Sequence, residues 1–121
     1  MTKGQMEAKI IESAEKFEID YMGRRPKQIN TIIVKDLIII RLESFLSQCE
    51  QKLAENIEGV EHVKKVRSSL FETAISYFES LIKQAIGVKI ISIHSDVSTK
   101  TGEKVIIITV AENLDDMLQV N

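Results

Sequence analysis

The stretch from Asn56 to Gly87 most constrains the fold of this chain, because its apolar residues recur at steps of three and four. That spacing places them on one stripe of an α-helix. Asn56 can cap the first turn with its side-chain oxygen, and Gly87 can end the helix with a positive φ. An isolated helix gains little in water, so the stripe must pack against something. The predicted inward-facing residues are Val63, Val66, Leu70, Ala74, Phe78, Leu81, Ile82 and Ala85.

A β-hairpin is predicted before this helix, from residues 29–34 and 37–43 joined by the two-residue turn Lys35-Asp36. Its pairing divides the side chains between two faces. One face carries Ile29, Thr31, Ile33, Ile38, Ile40 and Leu42, and the other carries Asn30, Ile32, Val34, Leu37, Ile39 and Arg41. Both faces are largely apolar, whereas a sheet with one solvated side alternates more cleanly. We therefore expect both sides to be at least partly covered.

A second hairpin is predicted after the long helix, from residues 88–97 and 104–110 across the polar turn 98–103. If Ser98 faces Glu103, the alternation of side chains assigns the two faces. The core face then carries Ile91, Ile93, Val97, Ile106, Ile108 and Val110, and the other carries Ser92, His94, Asp96, Val105, Ile107 and Thr109.

Two further helices begin at capping boxes, in which an N-cap hydroxyl and a side chain three residues on satisfy each other's backbone N–H groups. The first helix runs to about residue 21 and ends at Gly23, and the second is short and ends near residue 55. The tail, residues 112–121, is either a short docking helix or a flexible end. The two capping boxes are Thr2/Gln5 and Ser47/Glu50.

The order of elements predicts an α+β domain, α-β-β-α-α-β-β, spanning residues 1–121 as a single unit. The two hairpins join into a four-stranded antiparallel sheet, and the long helix packs across one face of it.

Charge and composition exclude several partners. Sixteen Lys and Arg against 18 Asp and Glu give a net charge of −2, which argues against nucleic acid as a partner. The one cysteine allows no intrachain disulfide, so a cytoplasmic setting fits best. No apolar run approaches the roughly 18 residues of a membrane span, so we expect no direct insertion and contact with a membrane only through a partner.

His94 and Asp96 lie on one predicted strand face, and Arg41 points to the same side. A zinc site needs three or four converging ligands, and an acid–base pair needs a nucleophile or a substrate pocket. The sequence marks neither. We therefore favour a polar strand face that hydrogen-bonds locally or across an interface, and we predict no catalytic, cofactor-binding or metal-binding residue.

Arg24, Arg25 and Lys27 form the one concentrated positive charge in the chain, in the loop after the first helix. Such a loop could bind an anion or an acidic partner surface, although a basic run is more often simply solvated. The turn Ser98-Thr99-Lys100-Thr101-Gly102 is rich in hydroxyls, but it lacks the Gly-x-x-x-x-Gly-Lys spacing of a phosphate loop and leads into a strand. A hairpin turn is the simpler interpretation.

Several of these stretches match the pattern of a known family. They are Thr2-Lys3-Gly4, Tyr21-Met22-Gly23-Arg24, Pro26-Lys27, Asp36, Arg41, Leu46-Ser47, Gly59, Arg67, Gly87-Val88-Lys89 and, most specific, the run from His94 to Glu103. Over most of its length the chain resembles the small bacterial MpsC-like domain family. The usual motif of that family reads Gly-Arg-Gly-Pro, and here Arg25 replaces its second glycine and adds charge to the loop.

The resemblance implies a cytoplasmic accessory protein that acts at the inner face of the membrane through a partner. The family takes its name from a component of a sodium-translocating, membrane-potential-generating system. Its members are also associated with a two-subunit membrane system that accumulates inorganic carbon. No established catalytic residues carry over from the family.

Three functions remain open. The leading one is a non-enzymatic interaction module, a homodimer that acts with a membrane transport system. The second is a regulatory domain that senses an anion or small ligand through the Arg24/Arg25 loop or the His94/Asp96 face. The third is a small hydrolase using His94 and Asp96. A concave pocket around His94 and Arg41 would favour the second, and a flat surface would favour the first.

Overall fold

The computed structural model describes residues 1–43 and 46–118. It confirms the predicted α+β fold, in which two hairpins form one four-stranded antiparallel sheet of order β1-β2-β4-β3. A π-helical turn, Glu18–Met22, directly follows the first helix. The elements are α1 (Lys3–Phe17), β1 (Gln28–Val34), β2 (Leu37–Glu43), α2 (Gln48–Leu53), α3 (Ile57–Ile86), β3 (Ile90–Val97), β4 (Lys104–Val110) and α4 (Leu114–Met117).

The core lies between one face of the sheet and the helices α1, α3 and α4. Helix α1 packs on β1 and α3, and α3 also packs on β3. The predicted register of the first hairpin is confirmed, since Ile33 pairs with Ile38. In the second hairpin the predicted register holds next to the turn, where the Ser98 N–H donates to the Glu103 carbonyl at 2.8 Å. The fully or nearly fully buried apolar residues of this core include Ile10, Phe17, Ile38, Ile40, Leu42, Phe78, Ile82, Ile106, Ile108 and Leu114.

Helix α3 has the predicted ends but not the whole predicted stripe. The Gly59 N–H donates to the Asn56 side chain at 2.8 Å, and Gly87 ends the helix with a φ of 67°. Val66 and Leu70, however, are 56% and 44% exposed, so their assignment to the core was wrong. Arg67 takes the inward position between two buried turns of the helix, and this shifts the buried stripe by one residue. The buried positions of α3 are Gly59, Val63, Phe71, Ala74, Phe78, Ile82 and Ile86.

The first helix changes its geometry near its end. At Glu18 the α-helical ladder widens into the π-helical turn, which inserts extra chain into one turn and rotates the following side chains. Tyr21 is consequently exposed, whereas Glu18 is buried. The helical segment then ends at Gly23, which has a φ of 72°, as predicted.

Strand β3 contains a β-bulge that the alternation did not predict. The register shifts between Ile90 and Ser92, so Ile90 pairs with Val110 and packs against the core. Ile91 is exposed, and its predicted place on the core face was therefore wrong.

The C-terminal segment docks against the first hairpin. Leu114 is buried, and its N–H donates to the Lys35 carbonyl in the β1–β2 turn at 2.7 Å. Residues 114–117 thus form the short docking helix that was one of two predicted alternatives. Residues 119–121 of that predicted tail lie outside the described residues.

The close approach of α2 to α3 requires Gly59. A Cβ atom built there would lie 1.5 Å from the Leu53 carbonyl oxygen, so an alanine cannot fit unless backbone moves. We expect Gly59→Ala to lower the free energy of unfolding by about 1–3 kcal/mol, as overpacking commonly does. Urea denaturation measures this, and Ser68→Ala, at an exposed position of the same helix, should change it by less than about 0.5 kcal/mol. Equal effects of the two substitutions would contradict the close approach.

Candidate interaction face and a buried charge cluster

The sheet face that points away from the helices carries three rows of side chains, set by the strand register. We call this surface the open face. The first row is Asn30, Arg41, Val105 and Asp96, the second is Ile32, Ile39, Ile107 and His94, and the third is Val34, Leu37, Thr109 and Ser92. On β1, β2 and β4 the second and third rows are apolar apart from Thr109, whereas the first row carries Asn30 and Arg41 and the edge strand β3 is polar along all three rows.

The described part of one chain leaves the open face in contact with solvent. Ile32 is 49% exposed and Ile107, in the middle of the face, is 37% exposed. The expectation that both sides of the sheet are covered is thus not met within one chain. Contiguous apolar patches larger than a few hundred Å² are rare on monomers and mark surfaces that bind another protein or a membrane.

Three predicted site residues do share the open face. Arg41 pairs with Glu103, Nη2 to Oε2 at 2.7 Å, and Asp96 pairs with Lys64, Oδ1 to Nζ at 3.1 Å. His94 lies two residues before Asp96 on β3, on the second row, and is exposed.

Neither His94 nor Arg41 lines any of four cavities found in the described part of the chain. The backbone N–H of Val97, and then Lys64, lower the pKa of the Asp96 carboxyl. Asp96 is therefore held as an ion-paired carboxylate on a polar rim.

The basic loop lies elsewhere in the fold. Arg24 donates from Nη2 to the Leu46 carbonyl at 3.3 Å, and Arg25 pairs with Glu15 of α1 at 3.4 Å. The Lys27 side chain is exposed. The structure thus separates the six predicted site residues into two groups, one on the open face and one beside the helical layer.

Sequence reasoning missed a buried ion pair between Glu18 and Lys104. Lys104 Nζ donates to Glu18 Oε1 at 3.1 Å, and the two residues are only 2% and 1% exposed. The ammonium also lies 4.7 Å from the centre of the Phe71 ring, a favourable cation–π distance. Burial raises the pKa of Glu18 and lowers the pKa of Lys104, while each partner opposes the shift of the other.

A second polar pair, between Glu50 and Arg67, ties α2 to α3. The guanidinium binds the carboxylate through both Nε, at 2.6 Å from Oε2, and Nη2, which contacts Oε1. The same carboxylate accepts from the Ser47 N–H at 3.0 Å, as the predicted capping box requires. Burial works against the charged form, but the bonds from Arg67 and Ser47 outweigh it and the pKa of Glu50 is lowered. A cavity of about 130 Å³ is lined by this pair together with Glu18 and Arg24.

Two further properties bear on function. Within the described ranges, no helix is both long enough and apolar enough to cross a bilayer. The same ranges hold no group of three or more His, Cys, Asp or Glu side chains placed to bind a metal ion.

Comparison with known proteins identifies the family. The family described as "Na+-translocating membrane potential-generating system (MpsC)" matches residues 2–112. The chain belongs to the MpsC family. Relatives of this MpsC chain include the uncharacterized protein YbcI of Bacillus subtilis (strain 168), which is 33% identical over 118 residues, covering 98% of this chain and 95% of YbcI.

The uncharacterized protein YrhF of the same strain is a more distant relative. It is 26% identical over 102 residues, and the alignment covers 84% of each chain. No solved structure matches this MpsC chain. Family membership is thus shown by sequence.

Proposed function

We propose that this chain is a non-catalytic accessory protein that acts as a homodimer with a membrane transport system. The single observation that carries the proposal is the open face, an apolar sheet surface that the described part of the chain does not cover. The family description, a Na⁺-translocating membrane-potential-generating system, supports the transport context. The transported species in this proposal is sodium or inorganic carbon, the protein resides in the cytoplasm, and the ion path lies in a membrane-embedded partner.

A second copy of the chain suits the open face better than a strongly charged partner. The middle of the face is apolar, and its rim carries both signs of charge on Arg41, Glu103 and Asp96. An isologous interface needs such self-complementarity, because each rim must meet its own copy. Two sheets pack face to face about 10 Å apart, with interdigitated side chains between them. That arrangement would bury the side chains of Ile32, Ile39 and Ile107 away from solvent.

The size of the open face is also adequate. Four strands of about seven residues give a footprint of about 19 by 23 Å, from the usual strand spacing and rise per residue. Side chains standing on this footprint present more area than its flat projection. With the rim included, the face approaches the roughly 800 Å² that each partner gives to a standard interface.

Ile107→Lys tests the dimer, because it places a charge at the centre of the proposed interface. We expect the variant to be a folded monomer by light scattering at micromolar concentration, where the unmodified chain is a dimer. Leu53→Lys is the matched control, since Leu53 is an equally apolar, exposed side chain at the end of α2 and should leave the dimer intact. A dimer that survives Ile107→Lys would rule out the open face as the interface.

The same two variants test the accessory role. Purified chain should sediment with inverted membrane vesicles from its own host, and protease treatment of the vesicles should abolish this because the partner is a protein. If Ile107→Lys no longer binds the vesicles while Leu53→Lys still does, the membrane partner binds the dimer and not the single chain. Equal binding to protease-treated vesicles would contradict a protein partner.

A further inference from the structure

A cleft of about 530 Å³ lies between α2, the loop that holds Arg24, and the β3–β4 turn. It brings together two stretches that the sequence keeps some 75 residues apart, the basic loop and the hydroxyl-rich turn. Its lining residues are Arg24, Leu46, Gln51, Ala54, Thr99, Lys100, Thr101 and Gly102. Cavities of roughly 300–1,000 Å³ are the usual size of small-molecule sites.

The charge of this cleft is opposite to that of the whole chain. Arg24 and Lys100 contribute two positive charges, and none of its described lining residues is a carboxylate, whereas the chain carries a net charge of −2. The neighbouring 130 Å³ cavity, which Arg24 also lines, differs because Glu18 and Glu50 stand beside its three arginines. A concave surface of one sign concentrates ligands of the other sign, so the larger cleft attracts anions.

The groups that would meet an anion are held in position. The Leu46 carbonyl accepts from Arg24 Nη2 at 3.3 Å and from Gln51 Nε2 at 3.2 Å, which fixes both side chains against one wall. On the other wall, the Gly102 N–H donates to the Ser98 carbonyl at 2.8 Å and the Thr101 N–H donates to the Ser98 hydroxyl at 3.2 Å. These bonds define the turn that carries Lys100.

We propose that this cleft binds the phosphate group of a small phosphorylated molecule or free inorganic phosphate. Arg24 and Lys100 pair with the phosphate oxygens from two walls, and the Thr99 and Thr101 hydroxyls supply further donors. Two cations without a carboxylate match a dianion, and guanidinium and ammonium groups form strong charge-assisted bonds to phosphate. Because the turn leads into a strand and not into a helix, side chains and not helix-terminal amides do the binding. The volume beyond the phosphate leaves room for an organic part.

Titration with inorganic phosphate and with phenyl phosphate, at constant ionic strength, tests the site. Backbone amide shifts of residues 99–102 should change in a saturable way, and Arg24→Gln and Lys100→Gln should each weaken binding at least tenfold. Lys27→Gln is the matched control, because it removes one positive charge from the same basic loop but does not line the cleft. We expect it to change binding less than twofold.

The outcomes are distinct. Tighter binding of phenyl phosphate points to a phosphorylated molecule, and equal binding points to free phosphate; both support the site. Linear, unsaturated shifts, or equal weakening in all three variants, would mean only general charge screening and would overturn it. Lys100 lies on an exposed turn, so Lys100→Gln decides the matter even if Arg24→Gln does not fold. The result is independent of the dimer test.

Discussion

Replacing Lys104 with methionine is expected to lower the free energy of unfolding by about 3–5 kcal/mol, because it leaves the buried Glu18 carboxylate without its ionic partner. A domain of this size has about 5–15 kcal/mol in total. The loss would therefore be visible as a large shift of the urea midpoint. Methionine keeps most of the volume of lysine, so the effect reports the charge and not a cavity.

Two comparisons separate the ion pair from other causes. The double variant Glu18→Leu/Lys104→Met should regain most of the lost stability, since apolar replacement of a whole buried pair is often neutral or stabilising. Lys64→Met breaks the exposed pair with Asp96 and should cost no more than about 1 kcal/mol. Surface substitutions usually change the free energy of unfolding by less than about 0.5 kcal/mol. A change within that range for Lys104→Met would contradict the buried pair.

The pH dependence of Lys104→Met supplies a second signature. Without lysine, burial still raises the pKa of Glu18 above the ordinary value of 4.5, and of the two opposing charges only Arg67 remains. A carboxyl whose folded pKa is raised contributes stability that is present below its unfolded pKa and is lost as the pH rises through the folded pKa. Lys104→Met should therefore recover stability, relative to the unmodified chain, as the pH is lowered towards 4.5.

Phe78→Ala is the second substitution with a large expected effect. Phe78 is fully buried in the middle of α3, and its ring centre lies 5.1 Å from that of Phe17 and 5.4 Å from that of Phe71. Removing a buried phenyl ring typically costs about 3–5 kcal/mol, from lost transfer energy and the cavity left behind. Chemical denaturation should show a lower midpoint with an unchanged slope.

Leu70→Ala is the informative control for Phe78→Ala. The sequence pattern places Leu70 on the buried stripe, whereas the structure leaves it 44% exposed. Because of this exposure, Leu70→Ala should cost less than about 1 kcal/mol, whereas a buried leucine would cost about 2–5 kcal/mol. A large loss in Leu70→Ala together with a small one in Phe78→Ala would show that α3 packs through the other face.

The features predicted correctly from the sequence have local causes. The Asn56 cap, the positive φ at Gly87, and the capping box of Ser47 and Glu50 each depend on residues within one turn. The two-residue turn at Lys35 fixes the register of the first hairpin in the same way, and the alternation of side chains then assigns its faces.

The features that were missed depend on contacts between distant segments. Glu18 lies four residues after the buried Ala14, and Lys104 continues the inward alternation of Ile106 and Ile108, so both positions carried the signal of a core side chain. Their charges concealed it, because an unpaired charge would be too costly to bury. Arg67 turned inward for a related reason, since Glu50 on another helix pairs with it.

The candidate sites divide along the same line. The face shared by Arg41, His94 and Asp96 follows from strand alternation, so the sequence predicts it. The cleft does not follow from local pattern, because Arg24 and Lys100 line it from segments that are far apart in the sequence. Neither stretch alone has the spacing of a known phosphate-binding motif. The proposed site therefore depends on tertiary packing and is not predicted by any local sequence pattern.

Sedimentation equilibrium of the unmodified chain, across a dilution series from high micromolar to nanomolar concentration, tests the central proposal most directly. The open face should bring two copies together, so the mass at high concentration should be twice that of one chain. On dilution the mass should fall to that of one chain, or remain doubled if the two copies bind tightly. A mass of one chain at every concentration would contradict the proposal that a second copy covers the open face.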